Sequence, residues 1–202
     1  MSGFINELKK ITKDLNSLDI DWALVGAIAC SAHTEPRTTS DIDIIITLKE
    51  DSKAQQLALI EMFLKRGYTD KEVLMHGNPT YRMGYRLHLP NTIGYKVPVD
   101  FLFNTCGIET EIIKSSKELE LIPGLSLRIA SLGHILAMKI LSQNKTDRVR
   151  DRTDIYNLLK SGTAEDIALS RVALSLITKK GLNRGKDLLS DLDWFISHLE
   201  KG

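Results

Sequence analysis

Residues 26–46 read GAIACSAHTEPRTTSDIDIII, directly after Trp22-Ala23-Leu24-Val25. At the centre of the stretch stands Asp41-Ile42-Asp43, followed by Ile44, Ile45 and Ile46. Alternate side chains of a strand share a face, so Asp41 and Asp43 point one way and Ile42 the other. Two neighbouring carboxylates repel each other unless a proton or a cation sits between them. Oxygen-rich pairs of this kind suit Mg²⁺, which keeps several waters and is shared with substrate phosphates. Taken alone, an Asp-x-Asp at the head of a strand reads first as two solvent-facing acids. Its surroundings favour the cation.

Upstream, Trp22 to Val25 form a short apolar strand, and Gly26 permits a tight strand-to-helix turn with close approach by a ligand. The helix expected over Ala27 to Ala32 would aim its leading amides at that ligand, a favourable place for an anion. Between helix and aspartates lies the polar loop TEPRTTS, residues 34–40, broken by Pro36. Arg37 is its lone basic residue, read either as a solvated loop arginine or as a phosphate or nucleobase contact.

An apolar residue, a Gly-Gly or Gly-Ser pair, a gap of about a dozen residues, then Asp-apolar-Asp/Glu-apolar is the signature of the polymerase beta-like nucleotidyltransferase superfamily. Val25-Gly26-Ala27 followed by Asp41-Ile42-Asp43-Ile44 resembles it. The whole run 22–46, with Arg37-Thr38 shortly before the first aspartate, looks most like the branch of abortive-infection (AbiE-type) toxin nucleotidyltransferases. Ala27 departs from the pattern: a serine there would offer a hydroxyl to phosphate, whereas alanine offers only its backbone N–H.

Further along, residues 81–89 and 95–103 read as two strands joined by a loop over 90–94. Tyr81, Arg82, Tyr85, Arg86, His88, Tyr95 and Lys96 make this the most basic and aromatic region. It reads as an exposed sheet face or, less directly, as a surface for a base or single-stranded nucleic acid. Asp100 lies inside the apolar run VPVDFLF, where a lone carboxylate is costly unless paired, hydrogen-bonded or metal-bound. In the superfamily, a third carboxylate comes from a strand beside the Asp-x-Asp strand, and Asp100 is the match. The toxin-like branch also has an apolar helix containing Lys, then Arg, then Arg/Lys-Asp-x-x-Asp. Lys139, Arg148, Arg150, Asp151 and Asp154 match that order. On residue chemistry alone, Lys139 could instead extend its ammonium to water, and 148–154 could be a salt-bridged helix start.

The helical period places helices over 4–18, with Phe4, Ile5, Leu8, Ile11, Leu15 and Leu18 inward, and over 55–65, with Leu57, Ile60, Phe63 and Leu64 inward and Gly67 at its C-terminal end. An apolar helix spans 129–141. Two more, between Ala164 and Glu200, are separated by residues 181–185 and expected on the sheet and at the cleft wall. The resulting expectation is an α/β (α+β) chain: a small mixed sheet flanked by helices over 1–125, then a helical part over 126–202. The resemblance covers 20–48, 95–103 and 129–158.

The chain has 202 residues, 43% hydrophobic and 26% charged, with a net charge of +1. That balance excludes a global electrostatic pull to nucleic acid or membrane. Cys30 and Cys106 are isolated and lack metal spacing; Cys30, in an apolar helix, reads as packing. Neither a signal-peptide pattern at the start nor a membrane-spanning run is read, so a cytoplasmic protein is expected.

The resemblance implies transfer of a nucleoside monophosphate from a nucleoside triphosphate to a hydroxyl on RNA, on protein or on a small molecule. It assigns Mg²⁺ or Mn²⁺, as two ions, to Asp41, Asp43 and Asp100. It gives Asp100 the acceptor's proton, Gly26, Ala27, Arg37, Thr38 and Lys139 the nucleotide, and Lys139 and Asp151 a catalytic part. A role as the toxin of a toxin–antitoxin pair, with an antitoxin partner, follows from the same branch. The alternative is a catalytically silent member that binds nucleotide or a partner, with Ala27 as its mark.

Overall fold

Phe4, Leu8, Ile11 and Leu15 recur at helical spacing and form the inner stripe of helix α1, Ser2–Asn16. Strand β1, Asp21–Leu24, helix α2, Gly26–His33, and strand β2, Ile42–Thr47, follow as their patterns predict. Helix α3, Lys53–Lys65, starts at Ser52, whose side chain accepts from the Gln55 amide, and ends ahead of Gly67 at φ 90°. Its buried stripe is Gln56, Leu59, Ile60 and Phe63; Leu57 and Leu64, expected inward, lie at its edges. The remaining elements are β3, Thr69–His76; β4, Asn78–Leu89; β5, Val97–Leu102; α4, Glu109–Ser115; β6, Lys117–Ile122; β7, Leu125–Ile129; α5, Leu132–Ser142; α6, Val149–Ser161; α7, Ala164–Lys179; and α8, Leu188–Leu199. The computed structural model describes residues 2–50, 52–76, 78–89, 96–103, 105–143 and 149–199. The expected loop at 90–94, Tyr95 and Arg148 lie outside the described residues, as do the side chains of Tyr81 and Arg150.

The strands make one seven-stranded mixed sheet in the order β3-β4-β5-β2-β1-β7-β6. β2 runs parallel to β5 and β1 parallel to β7, while the other neighbours are antiparallel. Registered partners share a face. Asp43 pairs with Asp100 on β5, and Asp100 pairs with Arg86 on β4, so three charged residues stand in a row across three strands. The opposite face carries Ile42, Ile44, Tyr85 and Phe101. There Phe63 of α3 meets Phe101 with ring centroids 4.6 Å apart. α2 packs on β2 and against α5 and α6, which closes a cleft over the charged face.

Strands β3, β6 and β7 and helix α4 were absent from the sequence expectation. β3 is an edge strand with mostly exposed residues and no apolar alternation. β6 and β7 did carry a signal: Leu119 and Leu121, then Leu125, Leu127 and Ile129, alternate on either side of Pro123-Gly124. The sheet therefore continues to Ile129, and α5 begins at Leu132. One expectation is corrected. α7 and α8 pack on α5 and α6, and no described residue of either lines the cleft.

Candidate active site

The cleft has a volume of about 840 Å³. Gly26, Ala27, Arg37, Thr38, Asp41, Asp43, Lys139 and Asp151, eight of the nine residues expected from the sequence, line it. One wall is the start of α2 with loop 34–41; the other is α5 and α6. Asp100 is the ninth and is not part of the lining.

The floor is built by close backbone approach. Gly26 sits at φ +62°, and a Cβ placed on it would lie 1.9 Å from Asp43 Oδ2. The Val25 amide donates to the Asp43 carbonyl at 3.0 Å, which pins the strand-to-helix turn against β2. We expect Gly26→Ala to lose roughly 1–3 kcal/mol from backbone strain alone and to displace the Asp43 carboxylate. Isothermal titration with Mn²⁺ and a triphosphate checks this; wild-type affinity in the variant would refute it.

Asp41 is oriented by a residue the sequence reading passed over. The Thr39 hydroxyl donates to Asp41 Oδ1 at 2.7 Å. Asp43 is half-buried. Burial, then the charges of Asp100 and Asp41, push its carboxyl up to about 7, while Lys139 and Arg86 pull the other way. A proton is therefore easily held where a cation would otherwise sit.

On the opposite wall, Lys139 reaches Asp151 Oδ1 at 2.9 Å and Asp154 Oδ2 at 2.8 Å. Asp154 also takes two bonds from Arg37, at 2.8 and 2.9 Å, across 117 residues of sequence. Burial opposes the charges on Lys139 and Arg37, but the facing acids outweigh it and both pKa values stand above the ordinary range. The Arg37 amide donates to Ser31 Oγ, which fixes the loop on α2. Lys139 therefore does not extend to open water, Arg37 is paired with Asp154 and not free in solvent, and the salt-bridged reading of 148–154 fits Asp151 and Asp154. Asp154, assigned no site role from the sequence, is the joint between the two walls. Cys30 lies buried behind this network, its thiol pushed up to about 12 by burial, in keeping with packing.

Asp100 shares the face of Asp43 but is occupied. Arg86 grips it with both prongs, Nε to Oδ1 at 2.6 Å and Nη2 to Oδ2 at 2.8 Å. The basic and aromatic region is likewise engaged. Tyr85 is buried beside Phe103, Arg82 bonds Gln56, and Lys96 pairs with Asp70. Its described residues do not form an open stacking face. Among the described residues, no three His, Cys, Asp or Glu side chains form a ready-made metal-binding group. The open pair Asp41 and Asp43 nevertheless fits Mg²⁺, which commonly takes one or two carboxylates and completes its shell with substrate phosphates and water.

Similarity to known proteins follows this geometry. The structure of an antigenic nucleotidyltransferase-like protein from Paracoccidioides brasiliensis superposes with a TM-score of 0.53 at 21% identity, covering 95% of this chain and 93% of that one. The antibiotic-resistance factor ANT(2'')-Ia superposes with a TM-score of 0.55 at 16% identity, covering 89% of this chain and 93% of that one. At these identities the likeness establishes the fold. No curated protein matches the sequence. No described helix is long and apolar enough to cross a membrane. The sequence model of the nucleotidyl transferase AbiEii toxin family, of type IV toxin–antitoxin systems, matches residues 13–199. With nearly its whole length matched, the chain belongs to the AbiEii nucleotidyltransferase family.

Proposed function

We propose that the chain transfers a nucleoside monophosphate from a nucleoside triphosphate to a hydroxyl acceptor, with Mg²⁺ or Mn²⁺ held by Asp41 and Asp43. One observation carries the reading: a helix N-terminus, a paired carboxylate floor and a largely buried lysine converge on a single cleft. When bound, the cation would neutralise the triphosphate and raise the electrophilicity of its α-phosphorus. The first turn of α2 supplies amides to the phosphates, with Ala27 contributing its N–H alone. Lys139, held by Asp151 and Asp154, places a fixed positive charge where negative charge develops. Asp100 is the proposed proton acceptor for the attacking hydroxyl, directly or through water, and both that role and the holding of a second ion require its release from Arg86.

The family supports a toxin role with a cognate antitoxin. Incubation with labelled nucleotides and total cell extract would identify the acceptor as RNA, protein or small solute. Titration of Mn²⁺ with a triphosphate tests the site itself. We expect Asp41→Ala and Asp43→Ala each to remove the binding, and equal affinity in wild type and both variants would overturn the assignment. A second reading, a silent nucleotide binder, is favoured by Ala27; it requires binding without label transfer to any fraction of the extract.

A further inference from the structure

The row Asp43–Asp100–Arg86 crosses three adjacent strands in register, all on the cleft face. Arg86 closes both oxygens of Asp100 in a fork geometry, at 2.6 and 2.8 Å. Asp100 is 7% exposed, so little water competes for it. Asp41 and Asp43 lie close enough to act on the guanidinium as well, which strengthens its hold on its proton. The cleft therefore offers a cation two carboxylates and withholds a third by occupying it.

From this we infer that Arg86 is a positioning residue that makes cation binding depend on the triphosphate. With Asp100 engaged, the protein alone presents Asp41 and Asp43, too few ligands for tight capture of a lone divalent ion. The triphosphate's own oxygens complete the shell, and the cation enters with its nucleotide. This inference rests on the reading of the cleft as a metal–nucleotide site.

Arg86→Gln frees Asp100 while leaving a shorter, neutral polar side chain. Nucleotide-free Arg86→Gln should bind Mn²⁺, followed by electron paramagnetic resonance, at least about tenfold more tightly than wild type, since affinity tracks the charge and number of ligands. Adding Asp100→Asn to that variant should cancel the gain. Arg86→Lys keeps the charge but cannot close both oxygens; it should show a smaller rise, of a few-fold, and it serves if the glutamine variant fails to fold. Unchanged or weaker Mn²⁺ binding in the folded variants overturns the inference. So does a gain that survives Asp100→Asn, because loss of a nearby positive charge would then explain it without Asp100. Wild type that binds Mn²⁺ with the triphosphate while the variants gain nothing leaves the cleft reading intact and defeats this inference alone. Absence of Mn²⁺ binding by every protein, with triphosphate present, defeats both.

Discussion

Asp43→Asn should make the metal-free protein more heat-stable at pH 8 while abolishing nucleotide transfer. The carboxyl of Asp43 is raised to about 7, first by burial and then by Asp100 and Asp41, against roughly 3.9 in an unfolded chain. Between those values the folded state holds a proton that the unfolded state has lost. Stability from this group is therefore intact below about pH 4, falls as pH rises toward 7, and stays low above it. Asparagine removes the charge and with it the loss. Each pK unit is worth about 1.4 kcal/mol, and partial solvent access reduces the total to roughly 1–3 kcal/mol. For a chain of this size that is a rise of roughly 3–10 °C in melting temperature. Calorimetry in EDTA across pH 4 to 8 should show the variant and wild type diverging as pH increases. Saturating Mn²⁺ with triphosphate should stabilise wild type and leave the variant unmoved. A variant that melts at or below wild type at pH 8 would show that the carboxylate is well compensated, and the cation reading would lose its electrostatic motive.

The largest loss of stability is expected from Asp154→Ala. The carboxylate is 3% exposed and holds Arg37 through two bonds and Lys139 through a second ion pair. Its removal leaves two cations at the cleft wall with less negative charge than they need. Breaking a buried pair from one side costs roughly 3–5 kcal/mol, far more than an exposed pair is worth. Urea unfolding measures this directly. Loop 34–40 should also loosen, since Arg37 is its tie to α6, and trypsin should cut after Arg37 faster in the variant. A loss below about 1 kcal/mol with unchanged proteolysis would mean that Asp154 does not join the walls. Transfer should fall as well, because Lys139 would lose one of the two acids that aim it.

Asp100 changes meaning in this setting. A third carboxylate standing beside Asp43 would be relieved by conversion to asparagine. Gripped by Arg86, it is instead a partner whose loss leaves a guanidinium half-satisfied, so Asp100→Asn is not expected to stabilise the protein.

The sequence by itself determined what depends on neighbours within a few residues. The period of a strand put Asp41 and Asp43 on one side, and Gly26 marked a tight strand-to-helix turn. Helical spacing found α1, α3 and the apolar helix that carries Lys139. The Pro123-Gly124 hairpin was equally local, and its alternation was there to be read. What only the tertiary structure decided is register and long-range pairing. Whether Asp100 meets Arg86 depends on how β4 slides against β5, and a shift of one residue would send the arginine to the other face. Arg37 meets Asp154 because α6 folds back over α2, a contact that no local pattern encodes. Periodicity fixes the direction of a side chain on its own element, whereas the charge it faces is set by the packing of elements distant in sequence. That is why most of the charged residues of this cleft were legible in the chain, while the pairings of Arg86 with Asp100 and of Arg37 with Asp154 were not.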